Sequence, residues 1–435
     1  MPTATRGAAA LILLGALLAQ APLAGTASAY LPPEPSGPSV PPSTTSSPPT
    51  VSPTAAPTAV PTAAPTGMPT IAPDPDPTTS DDKWPVAEPP AAQSWSELAK
   101  QVTETSPGDP MLRSTAAEQA TQVMRCFKLE SENYCLGLGF VDQVPTGAEV
   151  TESVTAPNVS ADAEPGAGPG GEQAVATGAL SPAEFVAERA AMPKTARVNA
   201  ELEEMQTAWD GRDKARTLRL LGTSGTANGG TAEDPPTKPP PPPLASPTPV
   251  KPKPTSAYIM KGYETSQEKG YWCGPATFQS IDWADDKQKD TQTSWAKDLG
   301  ATSSGTAISA MVKQTNLKTT WDIAAGTYIV QNVSHWDTQK FFTVHQNHLG
   351  DGAPAPVIEH VQLLKRYFPY LAFNHSGHYQ VGRGYDKAKG TIGIFEVFNE
   401  RRFNSRGNVT NGPKNIPASA LFNATLANQF KNIGL

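Results

Sequence analysis

Apolar residues recur at helical spacing in the first half of this chain. Ser94-Trp95-Ser96-Glu97 has the spacing of a capping box and introduces such a run. Ser181-Pro182-Ala183-Glu184 starts a second helix, and Pro193 should end it. The pattern resumes over 196–221. Residues 83–222 are therefore predicted to be a small, irregular, mainly helical region.

One part of that region has a different composition. Pro145–Gly178 is rich in glycine, alanine and proline and carries few large apolar side chains. A segment that buries little apolar surface cannot offset the entropy lost on ordering. We expect these residues to be disordered.

After Tyr258 the pattern changes from helices to strands, and five of the eight tryptophans follow this point. Helices are predicted at 273–283, 293–299, 306–316 and 336–349, and strands at 327–333, 356–361, 379–385 and 391–398. The last two strands should form a hairpin through residues 386–390. Helices followed by an antiparallel sheet indicate an α+β domain, which we assign to residues 257–435.

Two proline-rich tracts flank the helical region. Of 46 prolines, 16 lie between Pro32 and Pro77, and 11 lie between Pro235 and Pro254. Such segments adopt extended polyproline conformations rather than a packed core. Residues 30–82 are predicted to be a disordered stalk and residues 223–256 a stiff linker. The reach of the stalk would suit association with a cell wall.

The first 29 residues fit a secretory signal peptide. Arg6 is the only charged residue there, an apolar run covers Ala8–Leu18, and small residues precede Tyr30. The run is shorter than the roughly 20 residues that a membrane span needs. We expect a secreted, extracellular protein with no membrane span after signal removal.

Charge and ligand spacing narrow the function classes. The net charge is −7 and only 17% of residues are charged, which disfavours nucleic acid and anionic membranes as partners. No His, Cys or Asp cluster has convincing ligand spacing, so no metal or other cofactor is predicted.

The three cysteines divide into a close pair and a single thiol. Cys126 and Cys135 enclose eight residues, and a disulfide is favoured in an oxidising compartment. Two free buried thiols and half of a metal site are the alternatives. Cys273 is left unpaired.

Cys273 has the surroundings of a nucleophile. It opens a predicted helix in the string Cys273-Gly274-Pro275, and a helix N-terminus lowers the pKa of a thiol. Gly274 would let a substrate approach the backbone. The side chain of Gln267 and the backbone N–H of Cys273 would stabilise an oxyanion. The alternative is a small buried apolar residue.

A thiol nucleophile needs a base and a group that orients the base. His378 opens a predicted strand and is the predicted base, with His375 as the second choice. Asn399 follows the next strand and is predicted to orient the imidazole, as asparagine does in papain-like enzymes. Glu396 and Asp386 are its rivals.

Residues 258–399 resemble the cysteine peptidase family 39-like proteins, relatives of the bacteriocin leader peptidases within the papain-like group. The resemblance is carried by Gln267, Cys273-Gly274-Pro275-Ala276, Gly305-Thr306 with Met311, and Gly377-His378-Tyr379 with Gly384-Tyr385-Asp386. It implies a Cys–His–Asp/Asn hydrolase with a glutamine oxyanion donor, which assigns those roles to Cys273, His378, Asn399 and Gln267. The family usually has Asp-Pro where this chain has Asn399-Glu400. This sequence shows no transporter domain, so cleavage of a double-glycine leader is not implied.

Together these features predict a papain-like cysteine peptidase fold in residues 257–435. The predicted function is that of a secreted thiol-dependent hydrolase, and we favour a peptidase that acts on peptides or proteins. A cell-wall amidase or a transglutaminase-type acyl transferase on the same scaffold is one alternative. A non-catalytic surface-binding module is another.

Overall fold

A computed structural model describes residues 93–108, 114–156, 176–221 and 253–435. The predicted signal peptide (1–29) and stalk (30–82) lie outside the described residues, as does the predicted linker up to residue 252. No helix within the described ranges combines the length and the apolarity that crossing a bilayer requires.

The described residues before 222 form five helices and three strands. They are α1 (Trp95–Thr105), α2 (Ala116–Val123), β1 (Cys126–Leu129), β2 (Glu132–Cys135), β3 (Gly139–Val141), α3 (Gly147–Thr155), α4 (Pro182–Ala191) and α5 (Lys194–Leu220). The predicted capping boxes at Ser94 and Ser181 are both formed. In each, a serine hydroxyl and a glutamate three residues later satisfy N–H groups that the first helical turn leaves unpaired.

The described residues from 253 onward contain the predicted helices and strands, with boundaries within a few residues of those expected. The elements are β4 (Ser256–Tyr258), α6 (Cys273–Asp286), α7 (Gln292–Asp298), α8 (Ile308–Lys318), α9 (Trp321–Ala325), β5 (Val330–Asn332), α10 (Thr338–Gly350), β6 (Val357–Gln362), β7 (Gly377–Asp386), β8 (Thr391–Glu396), α11 (Glu400–Phe403), β9 (Gly412–Pro417), α12 (Ala418–Ala427) and β10 (Asn432–Gly434).

The strands join in one sheet, which among the described residues has ten members in the order β1-β2-β3-β5-β10-β6-β7-β8-β9, with β4 beside β7. All of its pairs are antiparallel except β3 with β5. The predicted β7–β8 hairpin is present. Helices with a large, mostly antiparallel sheet make an α+β fold, as predicted.

The helical region does not stand apart from the following domain, contrary to the predicted division at 83–222 and 257–435. Strand β3 extends the main sheet where Phe140 pairs with Gln331. Strands β1 and β2 form a hairpin in which Cys126 lies opposite Cys135, and these two cysteines form the favoured disulfide. Phe140 lies in the same apolar cluster as Val357 of β6. The strands were missed because each is only three or four residues long.

The prediction of disorder over Pro145–Gly178 is wrong at both ends. Thr146 caps helix α3 through a capping box with Glu149. At the other end, residues 177–180 are buried, Gly178 lies in a bend and Ala179 forms an isolated bridge with Thr306. Composition suggested disorder because these residues bury little surface by themselves, but here other parts of the chain enclose them.

Candidate active site

Cys273 is the first residue of α6, as predicted, and its side chain is fully buried. The first turn of α6 packs against β7, where the hydroxyl of Thr277 donates to the carbonyl of Tyr379 at 3.2 Å. Burial raises the pKa of the Cys273 thiol well above its usual range, although the backbone N–H groups of Tyr379 and Gly274 act in the opposite direction. The thiol is therefore neutral in this state.

His378 at the start of β7 and Glu396 at the end of β8 form a buried pair. Nε2 of His378 lies 2.7 Å from Oε1 of Glu396, and both side chains are fully buried. His378 immediately precedes Tyr379, whose N–H acts on the Cys273 sulfur, and the charge of Glu396 also acts on that thiol. Nδ1 of His378 has no hydrogen-bond partner among the described residues.

Glu396 is held as a carboxylate by several donors. Burial by itself would raise its pKa, but the charge and hydrogen bond of His378, together with other donors, keep that pKa below its usual range. The N–H of Phe398 donates to Oε1 at 2.8 Å. The hydroxyl of Tyr370 and the amide of Gln380 donate to Oε2 at 2.8 and 2.7 Å. A fixed carboxylate of this kind fixes the orientation of the imidazole.

The residue that contacts His378 is therefore Glu396, the rival of Asn399, rather than Asn399 itself. Asn399 follows β8, and within the described part of the chain its Oδ1 makes no hydrogen bond. Side chains alternate between the faces of a sheet, so a shift of three residues from Glu396 reverses the face. Asp386, the other rival, lies at the far end of β7 and pairs with Lys389 at 2.9 Å.

His375, the second-choice base, belongs to a separate buried pair. Its Nε2 lies 2.8 Å from Oε1 of Glu400. The same carboxylate accepts the backbone N–H groups of Ala372, Phe373 and Asn408 at 2.8 to 3.0 Å. These contacts fasten the loop before β7 to the segment after β8, which is a structural role.

Gln267 lies next to the N-terminus of α6 and is fully buried. Its backbone N–H donates to the carbonyl of Val397 at 2.8 Å, which ties it to the end of β8. Its side-chain Nε2 faces three carbonyl oxygens, those of Gly270 at 2.5 Å, Lys269 at 3.0 Å and Thr177 at 3.4 Å. The side chain thus presents its N–H groups on the side where Cys273 lies.

The carbonyl oxygen of Thr177 meets both predicted oxyanion donors. It accepts the backbone N–H of Cys273 at 3.2 Å and is the third acceptor facing Nε2 of Gln267. This contact could not be predicted from the sequence, because 96 positions separate Thr177 from Cys273 and Thr177 was assigned to a disordered segment. Only the folded chain brings these groups together.

Among the residues that the structure describes, no group of three or more His, Cys, Asp or Glu side chains is arranged to hold a metal ion. Backbone N–H groups of Tyr379 and Gly274 and the charge of Glu396 act on the Cys273 thiol, and His378 is the residue next to Tyr379. A thiol among N–H donors with a histidine on the neighbouring strand position suits acyl transfer.

Along the chain, a glutamine is followed by a cysteine at a helix start and then by a histidine at a strand start. This order can be compared with known proteins. Residues 263–408 match the Peptidase_C39 like family. This confirms the predicted family 39-like domain, and the matched range is about a third of the chain. It contains Gln267, Cys273, His378 and Glu396. No curated protein and no solved structure shows significant similarity to the chain.

Proposed function

We propose that the C39-like domain is a papain-like cysteine peptidase whose catalytic groups are Cys273, His378, Glu396 and Gln267. The observation that carries this proposal is the state of His378. Glu396 holds one imidazole nitrogen, whereas the other has no hydrogen-bond partner among the described residues, and the next residue, Tyr379, directs its N–H at the buried Cys273 sulfur. An imidazole held in this way is suited to take a proton from a thiol.

The proposed reaction follows from these positions. His378 takes the thiol proton of Cys273, and the thiolate attacks the carbonyl carbon of a peptide bond. The resulting oxyanion accepts the N–H of Cys273 and Nε2 of Gln267. His378 then protonates the leaving nitrogen, the C–N bond breaks, and water hydrolyses the thioester. Glu396 stabilises the imidazolium that forms in between.

The alternatives from the sequence use the same groups. A cell-wall amidase or a transglutaminase would also form a thioester on Cys273, but the family match favours a peptidase with protein substrates. Secretion and a cell-wall location remain proposals that rest on residues 1–82. A non-catalytic binding module is the alternative that the following experiment separates from an enzyme.

The test is hydrolysis of fluorescein-labelled casein by the full-length protein and by single variants. We expect Cys273→Ala and His378→Ala each to lower the rate by about 10³-fold or more, since the thiol and the base act as a unit. His335→Ala is the matched control because His335 is exposed. Hydrolysis that survives in Cys273→Ala would refute the proposal, as would the absence of hydrolysis both in the wild-type protein and in the Gly178→Ala variant described below, whose cleft is open.

A further inference from the structure

A short segment of the chain, which bends at Gly178, lies across the candidate active site. On one side, the N–H of Ala179 donates to the carbonyl of Gly377, the residue before His378, at 3.3 Å. On the other side, the N–H of Leu180 donates to the carbonyl of Thr306 at 3.2 Å, and the N–H of Thr306 donates to the carbonyl of Gly178 at 2.9 Å. A peptide held through its backbone on both sides is bound as a substrate would be.

Thr177 fixes the register of this segment, which comprises Ala176–Leu180 and which we call the cleft segment. The N–H of Thr177 donates to the hydroxyl of Ser376 at 3.0 Å, and its own hydroxyl donates to the carbonyl of Gly377 at 2.5 Å. Its carbonyl oxygen lies between the two oxyanion donors, 3.2 Å from the nitrogen of Cys273. The peptide bond next to the thiol is therefore Thr177–Gly178.

Gly178 is required for this fit. A Cβ at this position would lie 2.2 Å from the carbonyl oxygen of Tyr271, and the backbone φ of +108° is one that other residues rarely adopt. On the facing wall, a Cβ at Gly305 would lie 2.3 Å from the carbonyl oxygen of Gly178. Glycines on both sides of the contact let the two backbones approach closely.

We propose that the chain is its own substrate and that Cys273 cleaves the Thr177–Gly178 peptide bond. This inference rests on the proposed peptidase function. The Cys273 sulfur bonds to the carbonyl carbon of Thr177, and the thiol proton passes through His378 to the nitrogen of Gly178. The C–N bond breaks, which leaves Thr177 as a thioester and Gly178 as a new N-terminus. One water molecule then releases Thr177 as a carboxylic acid and restores the thiol.

The surroundings of the segment favour an intramolecular reaction. The chain leads from Leu180 directly into helix α4, whose cap is Ser181 and whose Phe185 and Val186 are buried. A bond held in place by its own chain reacts without the entropy cost of binding a second molecule. Burial raises the pKa of the Cys273 thiol, so the reaction in the closed cleft should be slow and should accelerate with rising pH.

Cleavage would open the cleft without releasing the first fragment. Residues before the cut still contribute β3, which pairs with β5, so the two fragments should stay associated. The Cys126–Cys135 disulfide lies wholly within the first fragment and does not link the two. Denaturing conditions are therefore needed to separate them, and no reductant is needed.

The experiment follows the intact mass and the N-terminal sequence of the full-length protein during incubation at mildly alkaline pH. Wild-type protein should yield a fragment that begins at Gly178, and Cys273→Ala should yield none. Gly178→Ala should expel the cleft segment, so its self-cleavage should fall by about tenfold or more, because the bond is no longer held at the thiol. Gly352→Ala is the matched control, since Gly352 is exposed and a Cβ there meets no atom within 4 Å.

A synthetic peptide with the sequence of residues 172–184 tests whether the protein cleaves the same bond in a separate molecule. Gly178→Ala protein, whose cleft is free, should cut this peptide between the residues that correspond to Thr177 and Gly178. Wild-type protein that stays whole while Gly178→Ala cuts casein would overturn self-cleavage but not the peptidase. Cleavage that persists in Cys273→Ala would overturn it by pointing to another protease. If neither wild-type nor Gly178→Ala protein cuts itself, casein or the peptide, both proposals fail.

Discussion

Nε2 of His378 lies 2.7 Å from Oε1 of Glu396, and the two side chains are on adjacent antiparallel strands. Val381 of β7 pairs with Phe395 of β8. Glu396 is therefore across from Gln380, two residues from His378 and on the same face, where alternate side chains meet. The pair is fully buried, so the hydrogen bond between the two side chains is stronger than it would be in water.

Replacing Glu396 should impair catalysis more than replacing Asn399. In Glu396→Gln the imidazolium loses its counter-charge, and we expect kcat/KM for casein to fall by about 10²-fold or more. Asn399→Ala should change it by less than about threefold, because Asn399 makes no side-chain hydrogen bond with the described residues. An equal loss in both variants would restore Asn399 as the orienting residue. Thermal unfolding of both variants separates catalysis from folding.

Alkylation of Cys273 should depend steeply on pH. Because burial raises the pKa of its thiol, the reactive thiolate is scarce at neutral pH and its fraction grows about tenfold per pH unit. The rate of iodoacetamide modification in the uncleaved chain should thus keep rising between roughly pH 7 and pH 10. In Gly178→Ala, where the cleft segment no longer covers the thiol, modification should be faster at every pH. A plateau below pH 8 in the uncleaved chain would contradict this prediction.

Stability should fall in acid through Glu400. Burial would raise the pKa of this carboxyl, but the hydrogen bond from His375 and the N–H groups of Ala372 and Asn408 hold it below its usual range. A lowered folded-state pKa adds stability above the unfolded value of about 4.3, and this is lost as pH falls through the folded value. Glu400→Gln should cost about 1–3 kcal/mol near neutral pH, since buried donors lose their carboxylate.

Urea unfolding of wild type and Glu400→Gln across this pH range measures the effect. The difference in the free energy of unfolding between wild type and Glu400→Gln should shrink as pH drops below about 4. Glu152→Gln is the control, because Glu152 is exposed on α3 and should show no such difference. A difference in unfolding free energy that stays constant down to pH 3 would mean that the charge of Glu400 does not stabilise the fold.

The Cys126–Cys135 disulfide should stabilise the whole described fold rather than a separate region. It closes a loop of ten residues between opposed positions of the β1–β2 hairpin, and removing it in Cys126→Ser/Cys135→Ser should cost about 2.5 kcal/mol. Since β3 extends the main sheet, unfolding should remain one cooperative transition that shifts to lower urea. Two separate transitions in the wild-type protein would show that residues 93–156 fold independently.

Local signals in the sequence were reliable where neighbouring residues decide the structure. The capping boxes at Ser94 and Ser181, the helix that begins at Cys273, and the β7–β8 hairpin follow from residues a few positions apart. The same kind of signal at Thr146 was present but was outweighed by the composition of its surroundings.

The remaining features depend on which distant residues meet. Glu396 and Asn399 both lie near the end of β8 in the sequence, so the sequence does not distinguish them. Glu396 contacts His378 because the register of β7 and β8 and the alternation of side chains place it there. The C-terminal strand β10 lies between β5 and β6, a position that its three residues do not reveal.

The sequence by itself determined the helices and strands that have clear local signals, the nucleophile candidate at Cys273 and the family of its domain, because periodicity, caps and motifs are written in adjacent positions. The tertiary structure alone decided that Glu396 holds His378 and that the carbonyl of Thr177 lies at the oxyanion donors. Contacts of this kind arise from the path of the whole chain, since burial and strand register set the position of each side chain, and neither can be worked out from a short stretch of residues.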